Sequence, residues 1–199
     1  MKRDYDQLIL EFEKKYPAYY NLKYNIDIPS IQRLQQWLQH QPNTAILEFF
    51  HGTTAVYTLT ITNTTFDLFR TDLEGDFHQN IQDFRKALTD IQFIQKSPKA
   101  AYQLLTTNGY QLYQTLLQRP LNQLKDVSNL IIIADGVLGF VPYETLLSKV
   151  PNTNQRNYQT LPYLIQDYTI YRRCIVIVTV SPFPSRINHR FGKITILNN

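Results

Sequence analysis

Five side chains in this sequence are suited to work as a base, a nucleophile or a soft metal ligand: His40, His51, His78, His189 and Cys174. His51 precedes Gly52, and a His-Gly pair after a strand can supply a base and an oxyanion amide. The pair, however, falls between ILEFF (46–50) and AVYTLTIT (55–62), in a turn short enough that glycine is expected for hairpin geometry alone. His40 follows a helical segment, His78 falls on a polar helix face, and His189 sits in the tail. None of the four has a second histidine or cysteine at metal-ligand spacing, so neither a metal nor a cofactor is expected. Cys174 opens the apolar run CIVIVTV, and apolar surroundings raise a thiol pKa and keep it inert. Of its two basic neighbours, only Arg172 could share its side of a strand, since adjacent residues point to opposite faces. Packing is the expected role of the cysteine. Asp135-Gly136 ends the buried run NLIIIA, the ligand-facing end of a strand in an α/β sheet. Neither GxGxxG nor GxxxxGK[ST] is present, so phosphate binding fails on spacing. Asp135 is expected to cap the turn through its side chain, with Gly136 relaxing the backbone. GxSxG is also absent, and no carboxylate pair stands out from the helix faces.

The elements around these residues read clearly. In residues 4–15 Tyr5, Leu8, Ile9 and Phe12 recur at three and four, one apolar helical face closed by Pro17. In 29–40 Ser30 is placed to cap a helix bearing Ile31, Leu34, Trp37 and Leu38. The period then changes to two. Three short strands, 46–50, 55–62 and 65–70, are joined by turns too tight for a crossover, so they form an antiparallel meander. In the middle strand Tyr57, Leu59 and Ile61 alternate with Thr58, Thr60 and Thr62, as in a half-buried strand. Helical spacing returns over 75–118. Phe77, Ile81, Phe84 and Leu88 line one helix. Tyr102, Leu105, Gly109, Leu112, Tyr113, Leu116 and Leu117 line another, which Pro120 stops. NLIIIAD then has the continuous apolar character of a strand covered on both faces. GVLGFVPYETLL turns into a short helical piece, 148–162 is a surface loop, and YLIQDYTIYRR and CIVIVTVS supply one or two further strands.

Composition limits the function classes. The chain has 199 residues, 43% hydrophobic and 18% charged, enough for a real core. No apolar run approaches the roughly 20 residues that span a bilayer, no signal-peptide pattern opens the chain, and one cysteine makes no internal disulfide. A cytoplasmic protein without membrane contact is expected. The net charge of +4 is uneven: residues 1–100 hold 11 basic against 12 acidic residues, and 101–199 hold 9 against 4. No nucleic-acid motif accompanies the basic half, which reads as ordinary solvated charge.

LIIIADGVLGFVPYETLL, followed by LPYLIQDYTIYRR, resembles the front half of CHAT domains. These are caspase-like modules related to caspases and separase, often downstream of tetratricopeptide repeats in bacteria. The matching positions are Asp135, Gly136, Leu138, Pro142, Tyr143, Glu144 and Leu146, then Tyr163, Leu164, Ile165, Tyr168, Ile170 and Tyr171. KKYPAYYNLKY and the 46–62 meander look like the segments that join repeats to the CHAT core. The likeness runs over roughly residues 5–172.

The resemblance implies an α/β fold in which an antiparallel β-meander and helices lead into a partial caspase-like α/β/α sandwich. Residues 1–43 are expected to be a helical lead-in and 44–199 the partial domain, with a divergent tail from 173. Active family members are thought to be cysteine peptidases with a His-Gly motif and a later Cys, both C-terminal to the matched segment. Nothing after Tyr171 matches either motif, so no catalytic residue carries over. Asp135, Gly136, Leu138, Pro142, Tyr143, Glu144 and Leu146 carry over as structural. The expected function is a non-catalytic, scaffold-type fragment that binds a protein partner or itself through an open sheet edge. The alternative is part of a cysteine endopeptidase whose dyad lies outside this chain. The abrupt stop of the pattern suggests a truncated or frame-disrupted product of a longer gene.

Overall fold

The computed structural model describes Glu11, Lys14, Lys15 and residues 29–151 and 156–173. The chain divides into two compact units, Ile31–Cys174 being one and Met1–Ser30 with Ile175–Asn199 the other. The sheet belongs to the first of these. Tyr5, Leu8, Ile9, Phe12, Cys174, His189 and the CIVIVTVS and tail segments lie outside the described residues.

The unit is an α/β fold. Helix α1 (Ile31–Leu38) leads into a meander of β1 (Thr44–His51), β2 (Ala55–Ile61) and β3 (Phe66–Asp72). Helices α2 (Phe77–Thr89), α3 (Ile91–Lys96), α4 (Pro98–Tyr113) and α5 (Arg119–Gln123) follow, and then strands β4 (Asn129–Ala134) and β5 (Thr169–Arg173). The sheet order is β3-β2-β1-β4-β5. β1 pairs antiparallel with β2 and parallel with β4, and β4 pairs parallel with β5. The meander and its antiparallel sense are as the turn lengths predict.

Strand alternation gives the sheet two faces. On one, Ala45, Leu47 and Phe49 of β1 and Leu130 and Ile132 of β4 are buried with Ile81 and Phe84 of α2 and Tyr102, Leu105 and Leu112 of α4. The helical positions that the three-and-four spacing picked out are therefore core. α2 crosses α4 closely at Gly109, where an added Cβ would stand 2.8 Å from Phe84 Cε2. α1 lies against β2 with Leu34 and Leu38 buried, and Gln35 Nε2 donates to the Thr65 carbonyl (3.3 Å). Ile46, Ile61 and Ile133 are buried on the second face, while Phe50, Phe66, Leu68 and Tyr171 on that face are exposed.

The alternation in β2 turns the threonines toward the helical run: Thr58 and Thr60 are each 1% exposed, and Tyr57 and Leu59 stay partly open. One expectation is corrected. Pro120 does not stop the helical run, which widens to a π-turn at Gln114–Gln118 and continues as α5 to Gln123. Proline has no N–H to give the carbonyl four residues back, that of Leu116. The Thr58 hydroxyl donates to that carbonyl instead, at 3.5 Å. A small hydroxyl side chain lets the helix approach and satisfies the oxygen that proline leaves. One further expectation narrows: of YLIQDYTIYRR, Leu164–Gln166 is a 3-10 turn and only Thr169 onward is strand.

Candidate functional site

The ends of parallel strands β1 and β4 carry the polar groups that matter. Ala134 closes β4 opposite Phe49 of β1. Asp135 continues extended (φ −105°, ψ 166°), and Gly136 takes φ +51°, which only glycine adopts without strain. The chain then coils into a 3-10 turn, Gly136–Phe140. Asp135 does not cap that turn with its side chain, as the sequence suggested. Its backbone carbonyl accepts from Leu138 N (3.1 Å) and Gly139 N (3.3 Å), and the carboxylate stays exposed.

That carboxylate has a neighbour. Glu48 lies opposite Ile133 in the register, so the strand period puts Glu48 and Asp135 on the same face. Burial pushes the Glu48 carboxyl up to about 7, and the Asp135 charge adds to the rise. Sequence reading over helix faces missed this carboxylate pair, because it is made by strand pairing between distant segments. A signal was present: a lone glutamate inside the apolar run ILEFF.

The motif residues after Asp135 build the support beneath this corner. Leu138, Tyr143 and Leu146 are fully buried. The Tyr143 ring stacks on Phe49 with centres 5.3 Å apart, and its hydroxyl donates to the Leu138 carbonyl (3.3 Å). Burial drives the phenol well above its usual range, so it holds its proton at neutral pH. Arg172 of β5 donates through Nη2 to the Gly139 carbonyl (2.8 Å), and its Nε stands 4.0 Å from Glu144 Oε1. Pro142 accepts through its carbonyl from Thr145 N (3.0 Å) and from the Thr145 hydroxyl (2.9 Å). These residues tie β4, the 3-10 turns and β5 together.

A second polar corner lies at the same C-terminal end of β1, on the helix-covered face. The His51 ring is parallel to Phe77 at 5.8 Å and meets the His78 ring nearly edge-on at 4.8 Å. His51 Nε2 is shut off from solvent and makes no hydrogen bond. The two histidines border a cavity of about 290 Å³ with Thr53, Leu73, Gly75 and Asp76. Gly52 N donates to the Ala55 carbonyl (2.9 Å), so the His-Gly pair does form the hairpin turn. His78 is exposed on the first turn of α2, as its polar neighbours suggest. Its approach to His51 was hidden, because spacing along the chain does not register contacts between segments. His40 is apart from both, with Nδ1 3.2 Å from the Gln36 carbonyl oxygen.

Among the described residues no three or more His, Cys, Asp or Glu side chains converge as a metal centre. Nor, among those residues, is any helix long and apolar enough to cross a membrane. Set beside known proteins, the chain matches no family model and no curated protein.

Proposed function

We propose that the chain is a CHAT-type, caspase-like unit that works through protein contact rather than through catalysis by its own residues. The observation carrying this reading is that Leu138, Tyr143 and Leu146, the core of the CHAT-like motif, are spent on packing and hydrogen bonds within the fold. Glu48 and Asp135 are not the thiol–imidazole pair that a caspase-like peptidase needs, and the one cysteine of the sequence, Cys174, lies outside the described residues. The compartment proposed is the cytoplasm, in keeping with a single cysteine.

The contact surface we assign is the β5 edge, and its occupant is a second copy of the chain. Among the described residues β3 and β5 each pair on one side only. β3 is guarded by Asp67, Arg70 and Asp72, charges that disfavour edge pairing. β5 reads Thr-Ile-Tyr-Arg-Arg. Antiparallel self-pairing about Tyr171 sets Arg172 opposite Ile170 and Arg173 opposite Thr169, so no arginine faces another. Sedimentation velocity of the full chain over a wide concentration range tests the reading, with dimers or larger species expected. A monomer throughout overturns it. Rapid labelling of Cys174 by a thiol probe at pH 6 would instead favour the cysteine-hydrolase alternative, since only a thiol of low pKa reacts well there.

A further inference from the structure

We infer that His51 and His78 form a binding site for a divalent first-row transition-metal ion of the zinc type. The argument begins with the unsatisfied atom. A buried ring nitrogen without a hydrogen bond loses its water contacts and gains nothing, and native structures keep few such atoms without a reason. His51 Nε2 is in that position, and His51 and His78 are both among the residues lining a cavity of about 290 Å³.

The second observation is geometric. Metal–nitrogen bonds to histidine are about 2.0–2.1 Å, and a ring nitrogen lies roughly 1.1 Å from its ring centre. Two imidazoles on one tetrahedral ion therefore hold their ring centres about 5 Å apart. The His51 and His78 centres are 4.8 Å apart with their planes crossed at 71°. His51 is at the strand end and stacked on Phe77, whereas His78 is exposed on the first turn of α2.

The charge of the cavity selects a cation. Asp76 borders it and caps α2, its Oδ1 accepting from Gln79 N (2.9 Å). That carboxylate offsets the positive end of the helix and opposes an anion there. Hard ions such as Mg²⁺ prefer oxygen donors, so paired imidazoles point to zinc, cobalt, nickel or copper. Two protein ligands leave the remaining positions to water.

The test is calorimetric titration of the full chain with Zn²⁺, with Co²⁺ absorption as a spectroscopic readout of imidazole ligation. Saturable one-to-one binding is expected, weakened at least about tenfold in His78→Ala, unchanged in His40→Ala, and lost at acid pH because only neutral imidazole ligates. His78 is exposed, so the His78→Ala protein should fold, which circular dichroism checks; His51→Asn should also lose the ion. Equal affinity in wild type and His78→Ala, or no saturable binding, overturns the proposal. In that event the two rings are a packing cluster only. Neither outcome depends on the oligomeric state, so this test is separate from that of the function proposed above.

Discussion

Glu48 is the residue whose environment most affects behaviour in solution. Its carboxyl is raised from 4.5 to about 7 in the fold, so the folded chain binds a proton there that the unfolded chain releases between those values. The contribution to stability is complete below pH 4.5 and is lost as pH rises through 7. The change is on the order of 3 kcal/mol at most, reduced by screening on its open side. Glu48→Gln should therefore flatten the pH dependence and stabilise the protein at pH 8 relative to wild type. Urea unfolding at pH 5 and pH 8 measures this, and parallel losses in both proteins would count against it. Asp135→Asn should produce a smaller effect of the same sign, because it removes only the second cause. At this scale the sequence was a partial guide. Gly136 disclosed its turn through type and position, but Glu48 and Asp135 meet only across paired strands. The same holds for His51 and His78, brought together by the docking of α2 beside the β1–β2 hairpin.

Elements were more legible. The spacing of Phe77, Ile81 and Phe84 in α2, and of Tyr102, Leu105 and Leu112 in α4, is dictated by the 3.6-residue turn and needs no tertiary knowledge. Pro120 misled because a proline rule assumes a regular helix; here a π-turn precedes it and the Thr58 hydroxyl serves the Leu116 carbonyl that proline cannot. Two predictions belong here. Gly109→Ala should destabilise the protein by about 1–3 kcal/mol in chemical denaturation, since its methyl would meet Phe84 at 2.8 Å in a packed core. An unchanged midpoint would mean that α2 can shift at the crossing. Thr58→Val should cost about 1 kcal/mol by stripping the Leu116 carbonyl of its donor. In a Pro120→Ala background that cost should shrink, because a main-chain N–H becomes available to the same carbonyl. A double-mutant cycle isolates the coupling, and strict additivity would refute the exchange of donors.

For the molecule as a unit, the second face of the sheet sets the expected behaviour. Phe66 and Leu68 on edge strand β3, Phe50 on central strand β1 and Tyr171 on edge strand β5 are 43, 54, 54 and 51% exposed. Exposed large apolar groups at a sheet edge favour association. Tyr171→Lys should shift the sedimentation distribution toward monomer at a given concentration, while Phe140→Ser, at an exposed 3-10 turn, should not. Equal distributions in all three proteins would place the contact elsewhere. The sequence foretold an α/β domain. It did not foretell which face would be left apolar, because β2 turns its threonines inward against the helical run at Leu116.

β1 is a junction between two kinds of neighbour, and this dictates an order of events during folding. His51 meets Val56 across a four-residue hairpin link, but Thr44 meets Asn129 only after four helices have intervened. Closing the short connection restricts the chain far less, so the hairpin is available to the rate-limiting nucleus before β4 arrives. Val56→Ala should accordingly slow refolding, whereas Ile132→Val should mainly speed unfolding, as stopped-flow kinetics can establish. The reverse pattern would place β4 in the nucleus, and the hairpin would then be a late addition.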